Sequence, residues 1–388
     1  MVAAAALAVV AGVVAFLWQS PKPISAVVVA DDDGTESLAV TCDDCPDGTV
    51  ISVAGANAKL SAHAARLALS KPLAVGPNKL SLQVARPGIG RDEAVALTVV
   101  VGYRIRGDLS ALGEDVPKAK VIVDAVQGTG VVVDGHSIAL DGSGKGEYAI
   151  DVGHEIEGPS DVVVPFERKV PYTIAETGQP PHQGEVTIRF GIAPLHVDAP
   201  GASIVIQSET FMLSGWTLKD GRVSVAGRPI TVDTQGRFAQ LMNVSSNGET
   251  TIVVRADAKD HGPRLVPVKV KRVASLTDEA GIFRLAATSD YSSIADADEK
   301  RGVAVALDGE VAETRIDGEV TVLVLDVKSG CATSPCLAKV VYGARFDTKR
   351  GAKVSAFGHV QGAVEGPRTG AKIPWVAADF VLPAKKGR

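Results

Sequence analysis

VSVAGRPITVDTQGRFAQLM runs from Val223 to Met242, and its rhythm decides the fold. Val223 and Val225 alternate with smaller neighbours and stop at Gly227, as a short strand does on entering a tight turn. Ile230 and Val232 alternate again, and Asp233-Thr-Gln-Gly236 supplies a second turn before the aromatic strand opened by Arg237 and Phe238. Downstream, Ile252, Val254 and Ala256 alternate, then Val266, Val268 and Val270. No 3.6-residue period appears in this stretch, so it reads as antiparallel β-structure.

The same unit recurs. VISVAG spans Val50 to Gly55 and VVVDG spans Val131 to Gly135, 80 and 92 residues apart from glycine to glycine along the three copies. After the turn, SIALDGSGKGEYAID (Ser137 to Asp151) parallels PITVDTQGRFAQLM of the third copy. The first copy is blurred there and rejoins at VGPNKLSLQVA (Val75 to Ala85), which matches SNGETTIVVRA (Ser246 to Ala256). Each copy closes on a last strand: VALTVVV, EVTIRFG and VPVKVKRV. A period this long predicts separate domains strung in tandem rather than a solenoid. Ala62 to Leu69 is an Ala-rich stretch and a candidate short helix. Gly153 to Gly184 reads as an insertion in the second unit; it is a candidate partner-binding element, for which an added edge hairpin is the simpler account.

The motif strand, V-x-V-x-G, short strand, D-x-x-G-x-F/Y, strand, G-E/N-x-x-I/L-x-V-x-A resembles bacterial Ig-like domains of the type found in glucodextranase domain B. The likeness covers roughly residues 35–273 and is clearest from Phe211 to Val273. It implies three Ig-like β-sandwiches at 21–102, 103–196 and 197–273. It also implies a spacer, stalk or adhesive role, with no catalytic residue carried over.

After a linker or small helix at 274–299 the rhythm changes. VAVALDGEVAET, EVTVLVLDV, LAKVVYGARF, KVSAFGHVQGAV and IPWVAADFVL are five strand candidates. The Gly-Glu-Val exit of the first and the K-x-V-x-A-F-G-x-V fourth strand resemble an OB-fold barrel, placed at 300–388. Such barrels hold single strands on aromatic rings beside a basic groove. Lys339, Arg345, Lys349, Arg350 and Lys353, with Tyr342, Phe346 and Phe357 among them, form a candidate face of that kind. Residues 301–388 carry 13 Lys/Arg against 9 Asp/Glu, whereas the preceding 300 carry 27 against 36. A protein or envelope polymer is expected on this face rather than nucleic acid, because the chain reads as exported.

Export rests on two observations. Residues 2–18 are an uninterrupted apolar run, VAAAALAVVAGVVAFLW, long enough for a membrane anchor and slightly long for a signal-peptide core. A cleaved signal and a buried core helix remain open alternatives. The four cysteines form two close pairs, Cys42/Cys45 and Cys331/Cys336, 286 residues apart. That gap rules out a zinc ribbon, and Asp43, Asp44 and Asp47 oppose a reactive thiolate at Cys42. Two local disulfides in an oxidising compartment are expected, the second stapling the turn between barrel strands two and three.

With 388 residues, 46% hydrophobic and 22% charged, the chain is large enough for several cores and is not disordered. Its net charge of −5 excludes a dedicated nucleic-acid binder. No G-x-S-x-G elbow, Walker loop or H-E-x-x-H helix occurs; Gly142 to Gly146 precedes an alternating strand and reads as a hairpin turn. Asp31 to Asp33 and Asp296 to Glu299 lack the ligand spacing of a calcium loop, and the seven histidines are scattered. Trp216 and Trp375 are either core anchors or sugar-stacking platforms, and their apolar strands favour burial. The sequence therefore predicts an all-β, non-enzymatic protein of the cell envelope without a cofactor. Three Ig-like sandwiches present an OB-like barrel to an envelope protein, with carbohydrate or peptidoglycan binding as the other reading.

Overall fold

The computed structural model describes residues 24–30, 36–88, 92–367 and 370–384. The apolar run 2–18 and the Asp31 to Asp33 cluster lie outside the described residues. Among the described residues no helix is long and apolar enough to cross a membrane. The chain divides into two compact units, one of Met1–Glu155 and Pro165–Gly191, the other of Ile156–Val164 and Ile192–Arg388.

In the first unit, the first repeat sets the strands Ile24–Ala30, Glu36–Cys42 and Ala64–Ala68 in one sheet. A second sheet runs Ala56–Lys59, Val50–Val53, Gly76–Ala85, Glu93–Val101. Leu38, Val40, Ile51, Leu67, Leu82, Val84 and Val99, inward members of alternating strands, fill the space between the sheets. The Ala-rich stretch expected as a short helix is the strand Ala64–Ala68, paired with Ser37 to Thr41 and burying Ala65 and Leu67. Eight residues are too few to hold a helix against the pairing an open sheet edge offers.

The second repeat has the same strand order. Lys145–Asp151, Lys118–Ala125 and Tyr103–Asp108 form one sheet; His136–Ser137, Gly130–Val133, Val164–Ala175 and His182–Ile192 run in order through the other. This corrects the insertion expected at 153–184. Val164–Ala175 is an inner strand between Gly130–Val133 and His182–Ile192, and only 153–163 are additional. Val170, Tyr172 and Ile174 face the core, while Glu167, Lys169 and two prolines disguise the alternation. Arg104 ties the two repeats together, donating to Glu36 Oε2 at 2.8 Å and to the Leu73 carbonyl at 2.7 Å.

The repeated V-x-V-x-G motif is a two-residue hairpin turn. Ala54-Gly55, Asp134-Gly135 and Ala226-Gly227 all have positive φ at both positions, which matches the twist of the flanking strands. The repeated D-x-x-G is a loop built on its aspartate. Asp141 Oδ1 accepts the amides of Ser143 and Lys145, and Asp233 Oδ1 those of Gln235 and Arg237. These amides hold both carboxyls below the usual carboxylate range.

The second unit holds the third repeat and the C-terminal barrel. β1 (Leu195–Ala199), β2 (Thr210–Thr217) and β3 (Arg237–Asn243) form a three-stranded sheet with β2 in the middle. It packs on a five-stranded sheet ordered Ser203–Ile206, Arg264–Arg272, Gly248–Asp257, Arg222–Val225, Arg228–Ile230. Next comes α1 (Leu276–Arg284), then β4 (Ala304–Asp317), β5 (Val320–Val327), β6 (Leu337–Tyr342), β7 (Lys353–Glu365) and β8 (Lys372–Pro383). These five strands close a barrel in the order β4-β5-β6-β8-β7, antiparallel except for the β6–β8 pair. Disulfides link Cys42 to Cys45 and Cys331 to Cys336, the second closing the turn between β5 and β6.

Of the two alternatives for 274–299, the small helix is present: α1 lays Phe283 edge-on against Phe357 and Phe380, each 5.9 Å away between ring centroids. The barrel, however, is not a separate bead. Its interior and the core of the third repeat form one continuous apolar cluster. Across this joint the Met212 amide donates to the Gly343 carbonyl at 2.7 Å, and Ser203 Oγ donates to Asp379 Oδ1 at 2.8 Å. A shared core of this extent fixes the barrel on the sandwich.

Candidate functional site: a cleft between the third sandwich and the barrel

Alternation along β1, β2 and β3 sends Leu195, Val197, Phe211, Leu213 and Phe238 into the sandwich core. The other face of the sheet therefore carries His196 and Asp198, then Met212, Ser214 and Trp216, then Arg237 and Ala239. Opposite lies the outer wall of the barrel, with Val320 and Val322 from β5, Lys339 and Val341 from β6, and Trp375 from β8. The end of β4 adds Arg315 and Asp317, and the turn after it Gly318. The cleft between these faces has a volume of about 800 Å³. Small-ligand sites span about 300–1,000 Å³.

A row of three rings joins the two walls. His196 lies opposite Trp216 in the β1–β2 ladder and stacks on it, centroids 6.0 Å apart and planes 11° apart. Its ring also meets Trp375 of the barrel at 5.4 Å. His196 is 6% exposed; its Nδ1 stands 2.7 Å from Asp161 Oδ1, and its Nε2 is 3.6 Å from Asp198 Oδ1. That second gap is too long for a hydrogen bond, and Nε2 is buried with no partner among the described residues. Trp375 Nε1 is in the same position. Asp161 sits on the 156–164 strap, which pairs with β1 through Ser160 and Leu195.

Burial pushes the Asp198 carboxyl above its ordinary range, against the opposing pull of His196, Arg237 and Lys339. The other carboxylates of the cleft are engaged. Asp317 pairs with Arg315 at 3.6 Å, and Asp233 accepts the amides of its own turn. Lys339 Nζ lies 5.8 Å from the Trp375 ring centroid. Among the described residues no cluster of His, Cys, Asp or Glu is arranged to hold a metal ion.

Of the residues singled out from sequence, the structure places Lys339 and Trp375 on the cleft wall, while Trp216 stands behind His196 and does not line it. Both tryptophans are half-buried. It disperses the rest. Tyr342 is buried in the joint, donating to the Val205 carbonyl at 3.3 Å, and Phe357 is 1% exposed, stacked on Phe380. Neither ring is free for a ligand: Tyr342 is covered by the third sandwich, and Phe357 by Phe283 and Arg284 of α1. Arg345 is exposed and pairs with Asp347, and Lys353 is exposed at the start of β7. His196, Asp198 and Arg237 were not apparent as site residues. The alternation in Leu-His-Val-Asp-Ala marks His196 and Asp198 as outward-facing, but only the folded chain shows a second wall in front of them.

No protein-family model matches the chain, and no curated protein matches it in sequence. Among solved structures, the chain is similar to a segment of a 1.5-MDa bacterial ice-binding adhesin, at 14% identity and a TM-score of 0.17. That alignment covers 66% of this chain and 100% of the other. It is also similar to SGBP-B of the Bacteroides ovatus mixed-linkage glucan utilization locus, in complex with a mixed-linkage heptasaccharide, at 10% identity and a TM-score of 0.16. There the coverage is 89% of this chain and 91% of the other. Extracellular domains 3–5 of Drosophila OTK align at 12% identity and a TM-score of 0.16, over 62% of this chain and 92% of theirs. Likenesses this loose assign neither a fold to the whole chain nor a ligand to the cleft.

Proposed function

We propose that this chain is a non-enzymatic binding protein of the cell envelope, and that the cleft between its third sandwich and its barrel receives the partner. In this reading the three repeats are Ig-like domains and the barrel is of the OB type. Residues 2–18 anchor the chain. The pairing of all four cysteines supports an oxidising, extracytoplasmic compartment. The barrel order β4-β5-β6-β8-β7 supports the OB assignment, and in such barrels the second and third strands carry the binding face. Here β5 and β6 are the strands that line the cleft.

One observation carries the proposal. Trp375 and His196 each bury a ring nitrogen with no hydrogen-bond partner among the described residues, at the edge of a cleft lined by charged groups. An unmade buried hydrogen bond costs about 1–3 kcal/mol, so stability alone does not select such an arrangement. The test is photo-crosslinking in intact cells, with a benzophenone amino acid at Ala239, inside the cleft, or at Lys353, outside it. Adducts from position 239 and none from position 353 are expected. Equal yields, or no adduct at 239, would overturn the assignment of the cleft.

A further inference from the structure

We infer that the cleft takes a neutral saccharide chain, with one sugar ring against Trp375 and its hydroxyls bridging Asp198 to Arg237 and Lys339. The inference rests on the cleft being the binding site and names the ligand class. Charge comes first. Three cations and three carboxylates line the cleft, so it offers no surplus of either sign to an anionic or cationic polymer. Nucleic acid is held by surplus positive charge, and a polyuronate would face Asp198 and Asp233 at close range.

The arrangement of the free groups is more specific. Arg315 is occupied by Asp317, and Asp233 by backbone amides. Asp198, 3.6 Å from His196 Nε2, lines the cleft together with Arg237 and Lys339. Yet among the described residues neither Arg237 nor Lys339 makes a side-chain hydrogen bond or an ion pair. A carboxylate and two cations that line one cleft with no hydrogen bond between them suit a hydroxyl, which accepts from a cation and donates to a carboxylate.

Trp375 supplies the apolar face that a sugar ring presents its C–H groups to, with Val320, Val322 and Val341 beside it on the barrel wall. Lys339 lies over the indole, and its unpaired, flexible stem yields that face at small cost while its ammonium stays within reach of the sugar. His196 and Trp216 back the ring from the sandwich side, so its orientation is set before anything binds.

The experiment is titration calorimetry of the full chain with cellohexaose, chitohexaose and hexagalacturonate at low and high salt, beside the Ala239 crosslink. At least one neutral hexasaccharide is expected to bind, with an affinity unchanged within about twofold by salt, since no counterions are released. Trp375→Ala and Asp198→Asn are each expected to weaken it about tenfold or more, the first losing the stacking face and the second the charge and one oxygen of the hydroxyl acceptor. If Trp375→Ala lowers the unfolding temperature, Asp198→Asn, which leaves the ring row in place, decides. Salt-sensitive binding of hexagalacturonate alone would overturn the neutral class while keeping the cleft. A protein adduct at position 239 without saccharide binding would overturn the saccharide and keep the cleft. Neither binding nor adduct would remove both.

Discussion

Replacing Gly236 with alanine isolates the contribution of one close approach, because Gly227 nearby provides a matched control. Gly236 has φ +83° and Gly227 φ +75°, so an alanine at either position meets a similar left-handed penalty. That penalty is about 1–2 kcal/mol. The surroundings differ. A Cβ at Gly227 has nothing within 4 Å, whereas at Gly236 it stands 2.3 Å from the Thr217 carbonyl oxygen and 3.0 Å from that of Leu218. Both neighbours are backbone, so the turn itself must move, and moving it opens the amide contacts of Asp233. We expect Gly236→Ala to cost about 3–4 kcal/mol and Gly227→Ala about 1–2 kcal/mol. For a unit of this size each kcal/mol lowers the melting temperature by about 2–4 °C. Calorimetry of the full chain, with hydrogen exchange to locate the loss, reads the difference. Equal shifts for the two variants would refute the argument that the D-x-x-G glycine is fixed by approach to the chain rather than by φ alone. Gly144, whose Cβ would lie 2.1 Å from the Ala125 carbonyl oxygen, is the same test in the other unit.

Two further outcomes follow from the barrel. Phe283→Ala is expected to destabilise the second unit by about 2 kcal/mol, read by denaturant titration, since its half-buried ring meets Phe357 and Phe380; no change would restore segment 274–299 to a linker. The second concerns pH: a hydrogen bond to Asp379 raises the His359 pKa above its ordinary value, so its contribution to stability is complete below the unfolded histidine range and is lost as pH rises through the raised value. Melting temperature measured across that window is expected to fall for the native chain more than for His359→Gln, and parallel profiles would contradict the pairing.

What could be read from sequence was what is local. The V-x-V-x-G and D-x-x-G motifs announced hairpins because positive φ and amide capping demand particular residues at fixed offsets. Both disulfides were legible from spacing and flanking charge. Val164–Ala175 was misread because charges on its outer face and Pro165 and Pro171 masked a period of two that only pairing on both sides makes obligatory. The site was half visible. Trp375, Trp216 and Lys339 drew notice as residue types, but Tyr342 and Phe357 drew it equally, and which way a ring points in a closed barrel depends on register and on the β-bulge at Phe357/Gly358. Asp161 reaches His196 from a strap 35 residues upstream, a placement no local pattern announces.

The continuous core beneath β1, β2 and the barrel has a consequence for selection among ligands. Two lobes joined by a hinge adapt their spacing to whatever lies between them and spend part of the binding free energy on closing. Here the spacing of the walls is settled when the chain folds, by Met212 on Gly343 and Ser203 on Asp379. A molecule too thick for the gap is refused by geometry, and one that fits loses little entropy in the protein on arrival. The cleft thus works as a fixed gauge, discriminating by breadth before any polar group is compared.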